Sequence, residues 1–419
     1  MTKGVLSTGL LLGALLGAGM LAAEDSAGRS DDLSVLLDEG KVSLDFRYRY
    51  EFVKDDGFDN DARASTLRTR LGFQSGVWRG WDFNIEVNDV RHVLSNNFDS
   101  GGGSTPERTG DFPVVADPKG TRLNQGYINY TGLEDWGFKV GRQRINLDNQ
   151  RFVSSVVWRQ TEQVFDAGTA SWGNDKAAAS LTYVQWVRRI FGPNAPAGKQ
   201  RQDPTVLLNG GIDTRIGRLT GYYYHIENRD QASFSSGSIG VRLTGNPKIN
   251  DRWKLRYEAE YANQRDVGNN PVDYSADYLH LVAAAQIGVF DFGLGYELLG
   301  GDDDTFGNAA FQTPLALLHG FNGWADVFLT TPANGLSDLH LTFQAKPGKY
   351  VFQARYHDFR ADAGSDRYGT ELDLLATYQF TKRLQGMLKM AVFDGRQNPG
   401  TPNNFNDVTK FWVQFYFKL

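Results

Sequence analysis

The side chains in this chain that most invite a chemical reading are arginines. Between Gly141 and Ala167, "GRQRINLDNQRFVSSVVWRQTEQVFDA", Arg142, Arg144, Arg151 and Arg159 stand among Gln, Asn and aromatic residues. A guanidinium is a permanently charged planar fork of donors, so such a cluster either recognises carboxylate-like anions or pairs with acids of its own chain. Catalytic chemistry is not legible here or elsewhere. His92, His225, His280, His319, His340 and His357 are scattered, no G-x-S-x-G is present, and no His/carboxylate cluster has metal spacing. Asp302, Asp303 and Asp304 in "GGDDDT" lack the EF-hand spacing and read as a solvated acidic loop instead of a calcium site. Neither enzyme activity, cofactor nor metal is expected.

The elements that must position these arginines are strands. In "KVSLDFRYRYEF" (Lys41 to Phe52), Val42, Leu44, Phe46, Tyr48, Tyr50 and Phe52 alternate with Ser43, Asp45, Arg47, Arg49 and Glu51. Period two puts the apolar residues on one face of a strand and the charges on the other. The pattern returns in "WDFNIEVND", "WKLRYEAEY" and "FDFGLGYEL" and closes the chain as "KFWVQFYFKL". Reading every such run gives about 18 strands. Their connections alternate in length. Long ones run from His92 to Thr121, Arg188 to Thr205, Leu299 to Ser337 and Asp394 to Asp407. Short ones, such as "SGVWRG", "TGLEDW", "GNDKA", "KPGK" and "TKRL", fall between them.

A transmembrane antiparallel β-barrel sorts its loops this way, with short periplasmic turns and long extracellular loops. Trp78, Trp81, Trp136, Trp172 and Trp253 sit at or beside the short turns, where a membrane-interface girdle places amphipathic rings. The expected architecture is all-β, with residues 1–23 as a secretory signal, 24–40 as a periplasmic leader and 41–419 as an outer-membrane barrel. The leader segment "SDDLSVLLDEG" reads either as a short helix capped by Ser30 and ended near Gly40 or as a disordered periplasmic leader. Other classes are excluded in turn. No apolar run of about 18 residues follows the signal, so no helix spans a bilayer. The absence of cysteine removes disulfide scaffolds, and a net charge of −5 argues against nucleic acid as a partner.

If the charged faces point inward, Arg47, Arg49, Arg68, Arg70, Arg256 and Arg355 line the lumen, opposed by acids that include Glu258. An 18-stranded wall encloses an aqueous channel instead of a packed interior. The charges then read either as ion-pair ladders or as a guanidinium-lined path for anionic solutes. One stretch breaks the pattern. The lipid-facing parity of Phe138 and Val140 would carry Arg142 and Arg144 outward, so a β-bulge at Gly141 is expected to turn both inward.

These residues carry a resemblance. The stretch from Gly141 to Ala167, with "NAAFQTPLALLHGFNGWADVFLTTPANGL" (Asn308 to Leu336), resembles the alginate export family of bacterial outer-membrane porins. The resemblance implies an 18-stranded barrel and places Arg142, Asp148, Arg151, Arg159 and Asp166 in the block associated with an arginine-rich pore. It also implies that Phe311 to Leu336 is an ordered extracellular loop that folds inward. The family's alginate exporter partly closes its pore with a long periplasmic turn, whereas every even-numbered connection here is short. The function expected is passive diffusion of anionic or polyhydroxylated solutes, including an acidic exopolysaccharide such as alginate. Two alternatives stand beside it, an uptake porin for small carboxylates or sugars and a structural or adhesive barrel acting through its loops. The partners expected are the lipid bilayer, lipopolysaccharide, the solute and periplasmic export proteins, around a monomeric barrel.

Overall fold

The computed structural model describes residues 32–302 and 309–419. The expected signal, Ser30, Asp303 and Asp304 lie outside them. A four-residue helix, α1 (Val35–Asp38), opens the described chain with Ser34 at its N-cap position, later and shorter than expected. It rests on the first short turn, where Gly76 N donates to Leu36 O.

Eighteen strands follow. They are β1 (Lys41–Asp55), β2 (Ala62–Gln74), β3 (Trp81–Asn97), β4 (Gly120–Tyr130), β5 (Trp136–Gln143) and β6 (Val164–Gly173). Next come β7 (Ala177–Arg188), β8 (Lys199–Thr214), β9 (Gly217–Ile226), β10 (Ser236–Gly245), β11 (Trp253–Asp266) and β12 (Ser275–Ile287). The last are β13 (Phe290–Leu299), β14 (Leu336–Ala345), β15 (Tyr350–Arg360), β16 (Arg367–Gln379), β17 (Leu384–Gly395) and β18 (Val408–Lys418). Each pairs antiparallel with its sequence neighbours, and β1 pairs with β18 through Asp45↔Lys418 to Asp55↔Val408. Closure removes both sheet edges, which lipid could not hydrate.

Alternation sets the two faces. On β1, Asp45, Arg47, Arg49 and Glu51 are buried in the lumen, while Val42 stands out at 70% exposed. Leu71, Ile128, Val140, Leu281, Leu341 and Leu388 continue the exposed apolar band around the wall. Trp81, Trp136, Trp253 and Tyr350 stand exposed where strands leave the short turns, as an interface girdle requires.

The middle of the lumen is packed, not open. The expected aqueous interior is displaced by two long connections that fold into it, residues 144–163 between β5 and β6, and residues 309–335 of the connection between β13 and β14. They join through a parallel bridge, Val153↔Leu315, with Ser154 N donating to Leu315 O at 2.8 Å. Phe152 meets Tyr222, Tyr224, Tyr278 and Phe311 at ring separations of 5.1–5.8 Å. This apolar contact holds the loops in place by burial, at about 25 cal/mol per Å² removed from water.

The expected bulge at Gly141 is absent. Pairing on both sides of β5 runs without a shift from Phe138 to Arg142, and the bulges fall on neighbouring strands, one between Glu86 and Val87 and one between Asp166 and Ala167. Gly141 adopts φ 129°, and a Cβ there would lie 2.4 Å from Gly126 O. The glycine therefore allows close approach of β4 to β5 instead of adding a residue.

Candidate functional site

Six arginines, Arg47, Arg49, Arg70, Arg144, Arg151 and Arg159, buckle the inward loops to the wall. Arg47 on β1 donates to Gln160 Oε1 at 2.8 Å and to the carbonyls of Val157 (2.9 Å) and Arg159. Arg49 reaches the Trp158 carbonyl and Gln414 Oε1, both at 2.7 Å, and lies 3.9 Å over the Trp158 ring. Arg68 pairs with Asp45 at 2.5 Å within the wall. Arg70 of β2 and Arg144 of the loop converge on Glu162 at 2.7 and 2.6 Å. Arg151 crosses to Glu297 of β13 at 2.7 Å, and Arg159 to Glu51 at 3.1 Å and Asp326 at 3.3 Å. Of the two readings the sequence left open, ion-pair ladders describe this network.

The other expected site residues make separate contacts. Arg142 keeps the outward parity of Phe138 and Val140 and is bidentate on Asp166, which also accepts from Arg188 at 2.6 Å. Both Arg142 and Asp166 are thereby corrected from lumen to outer face. Arg144 does turn inward, because it has left the strand. Arg256 pairs with Asp291 at 3.1 Å. Glu258 receives Arg242 at 2.8 Å and His280 at 3.1 Å. Arg355 donates to the Gly320 carbonyl at 3.3 Å beneath the second loop. Asp148 accepts from Asn209 at 2.7 Å.

Sequence reasoning missed the floor that the loops build. Asp326 accepts from His319 Nδ1 at 2.7 Å and Lys410 at 2.9 Å, and His319 stacks on Trp158 at 4.2 Å. Lys389 lies over the Trp158 and Trp324 rings and contacts His319 Nε2 at 2.5 Å. Single scattered acids and histidines gave no signal, since apart from the His319–Asp326 pair their partners, Trp158, Lys389 and Lys410, lie far away in the sequence. Burial works to raise the Glu162 carboxyl, but Arg144, Arg70 and Arg68 overcome it and hold it well below the carboxylate range. Asp326 is likewise held low, against its burial, by His319, Lys410 and Arg159. Burial, aided by Lys389, keeps His319 well below its ordinary value.

Above this floor, toward the long loops, lies a cavity of about 730 Å³. Arg159, Arg189, Lys410, Asp55 and Asp326 supply its charges, and Phe58, Phe191, Phe234 and Phe405 its rings. Burial pulls the Arg189 guanidinium down to about 10. Folding also brings together histidines and carboxylates that show no metal spacing in the sequence, among them Asp338, His340 and His357 of β14 and β15.

A closed 18-stranded barrel with an apolar outer band and a charged, loop-filled lumen is an outer-membrane porin. The alginate export family model matches residues 39–293, more than half the chain, and the chain belongs to that family. No curated protein matches it. Among solved structures it is similar to Acinetobacter baumannii OccAB2, at TM-score 0.70 and 14% identity over 92% of this chain and 99% of that one. Pseudomonas aeruginosa OpdK with vanillate is similar at TM-score 0.67 and 14% identity, over 92% of this chain and 99% of that one. Pseudomonas aeruginosa OccK3 gives TM-score 0.66 and 13% identity, over 92% and 97%. At such identities the likeness shows the fold.

Proposed function

We propose that this barrel is a selective outer-membrane channel for small anionic or polyhydroxylated solutes, which dock in the extracellular vestibule before passing the loop-built floor. The observation that carries the reading is the vestibule itself. Its volume of about 730 Å³ suits one small molecule. Three cations, Arg159, Arg189 and Lys410, outnumber Asp55 and Asp326 among its lining charges, and aromatic rings beside them suit the flat face of a sugar or an arene. The fold likeness to OpdK, whose structure holds vanillate, makes an aromatic carboxylate the first solute to try.

Family membership favours a second reading, export of an acidic exopolysaccharide such as alginate with periplasmic partners. A polymer strand would require both inward loops to withdraw. Single-channel recording in planar bilayers separates the two. Small carboxylates added on the long-loop side should interrupt the current in a concentration-dependent way, more than neutral sugars of equal size. Interruption that requires polyuronate chains, with no response to monomers, would replace the proposal by the export reading. A barrel with no conductance would favour a structural or adhesive role.

A further inference from the structure

On β14, Asp338 and His340 stand two residues apart and so share the inner face. Register sets His357 of β15 directly opposite His340. Each of the three brings a potential ligand atom within 4.8 Å of the others. His357 Nδ1 lies 2.8 Å and His340 Nδ1 3.8 Å from the same oxygen, Asp338 Oδ1. A tetrahedral ion with bonds of about 2.0–2.2 Å needs ligand atoms about 3.3–3.6 Å apart, so these separations bracket the requirement.

Around the cluster, Arg355 and Lys389 act on the carboxylates only from beyond ion-pair contact. Glu51, Glu162 and Glu297 each meet a guanidinium within 3.1 Å. Asp338 and Asp373, at most 1% exposed, have only histidines for ionic partners among the described residues. His340 Nδ1, His357 Nε2 and both Asp373 oxygens are buried without a hydrogen bond. Unpaired buried carboxylates and imidazoles are costly, and a cation relieves both. The second grouping of this kind, Glu258, Glu260 and His280, lacks that deficit, because Arg242 and Tyr222 already occupy its carboxylates.

We propose that Asp338, His340 and His357 form a site for a borderline divalent cation of the Zn²⁺ class, with Asp373 orienting His357 from behind. Imidazole and carboxylate ligands suit this class. His357 Nε2 faces Asp373 Oδ2 at 3.7 Å, the carboxylate–histidine–metal relation that fixes a ligating ring. Asp338 Oδ2 remains for Asn322 Nδ2 at 3.3 Å, so the ion would tie β14 and β15 to the second inward loop. His340 is the more exposed of the two imidazoles, at 15% against 1% for His357.

The purified full-length barrel, stripped with chelator and titrated with Zn²⁺, should bind with micromolar or tighter affinity. Co²⁺ in its place should give the intense visible bands of tetrahedral coordination. His357→Gln and Asp338→Asn should abolish those bands, while Asp373→Asn should weaken affinity by about 10–100-fold with the bands kept. Resistance of the barrel to unfolding in detergent reports folding in each case. If His357→Gln does not fold, His340→Gln carries the same test at a more exposed position. Failure of the wild-type protein to bind, or unchanged bands in folded His357→Gln, His340→Gln or Asp338→Asn, overturns the proposal.

Discussion

Arg47 sits 7% exposed in the lumen wall and spends its guanidinium on a side-chain amide and two backbone carbonyls of one loop. A charge used this way anchors the loop and contributes little to attracting solute. Hydrogen bonds from a charged donor are worth about 1.5–3 kcal/mol each, so losing all three loosens residues 157–160 from β1. Arg47→Ala should therefore raise single-channel conductance and its noise while the barrel itself stays folded. The exposed pair Lys54–Asp56, 3.3 Å apart, supplies the comparison, since breaking it should change neither. Equal traces from Arg47→Ala and wild type would remove the anchoring role.

The inward loops are the elements on which conduction depends, and their buried acids make them sensitive to pH. Glu162 and Asp326 have folded-state pKa values below their ordinary 4.5 and 3.8. A depressed carboxyl stabilises the folded loop fully above the unfolded pKa, and that contribution is lost as pH falls toward the folded one. Loop packing should thus be constant from neutral pH to about pH 5 and weaken steadily below it. Conductance followed from pH 7 to pH 3 should rise only in the acidic part of that range. A rise centred near pH 6.5 would instead point to histidine, contrary to the downward shift of His319.

At the scale of the whole molecule, the barrel keeps its lumen charges in pairs and leaves its net preference to the vestibule. Pairs such as Arg151–Glu297, each side chain 2% exposed, are hardly screened by salt. The vestibule cations Arg159 and Lys410 are themselves 7% and 6% exposed and share Asp326, but their pull on an anion arriving through solvent acts across water and is screened. Anion preference, read as a reversal potential under a salt gradient, should therefore fade as the Debye length shrinks from about 10 Å at 0.1 M to about 3 Å at 1 M. Cation preference at low salt would assign control to acids such as Asp55 and Asp326 and remove the anionic-solute reading.

Period-two alternation by itself determined the strands, their number, their inner and outer faces and the sorting of short from long connections. "KVSLDFRYRYEF" shows why, since each side chain's face depends only on its neighbours and on where the water is. The resemblance carried by Asn308 to Leu336 also anticipated a loop folding inward. Local pattern could not show that 144–163 folds inward too, because its anchors reach from Arg47 to Gln160 and from Arg151 to Glu297 across the lumen. Alternation did carry Arg142 outward, and only the pairing of β5 with β6, which sets Asp166 beside it, shows that no bulge turns it inward. Asp338 and His340 share a face by spacing alone, but His357 joins them only through the register of the β14–β15 hairpin. Faces follow from the nearest neighbours in sequence, whereas partners across a closed barrel are chosen by register and by which loops the lumen can bury.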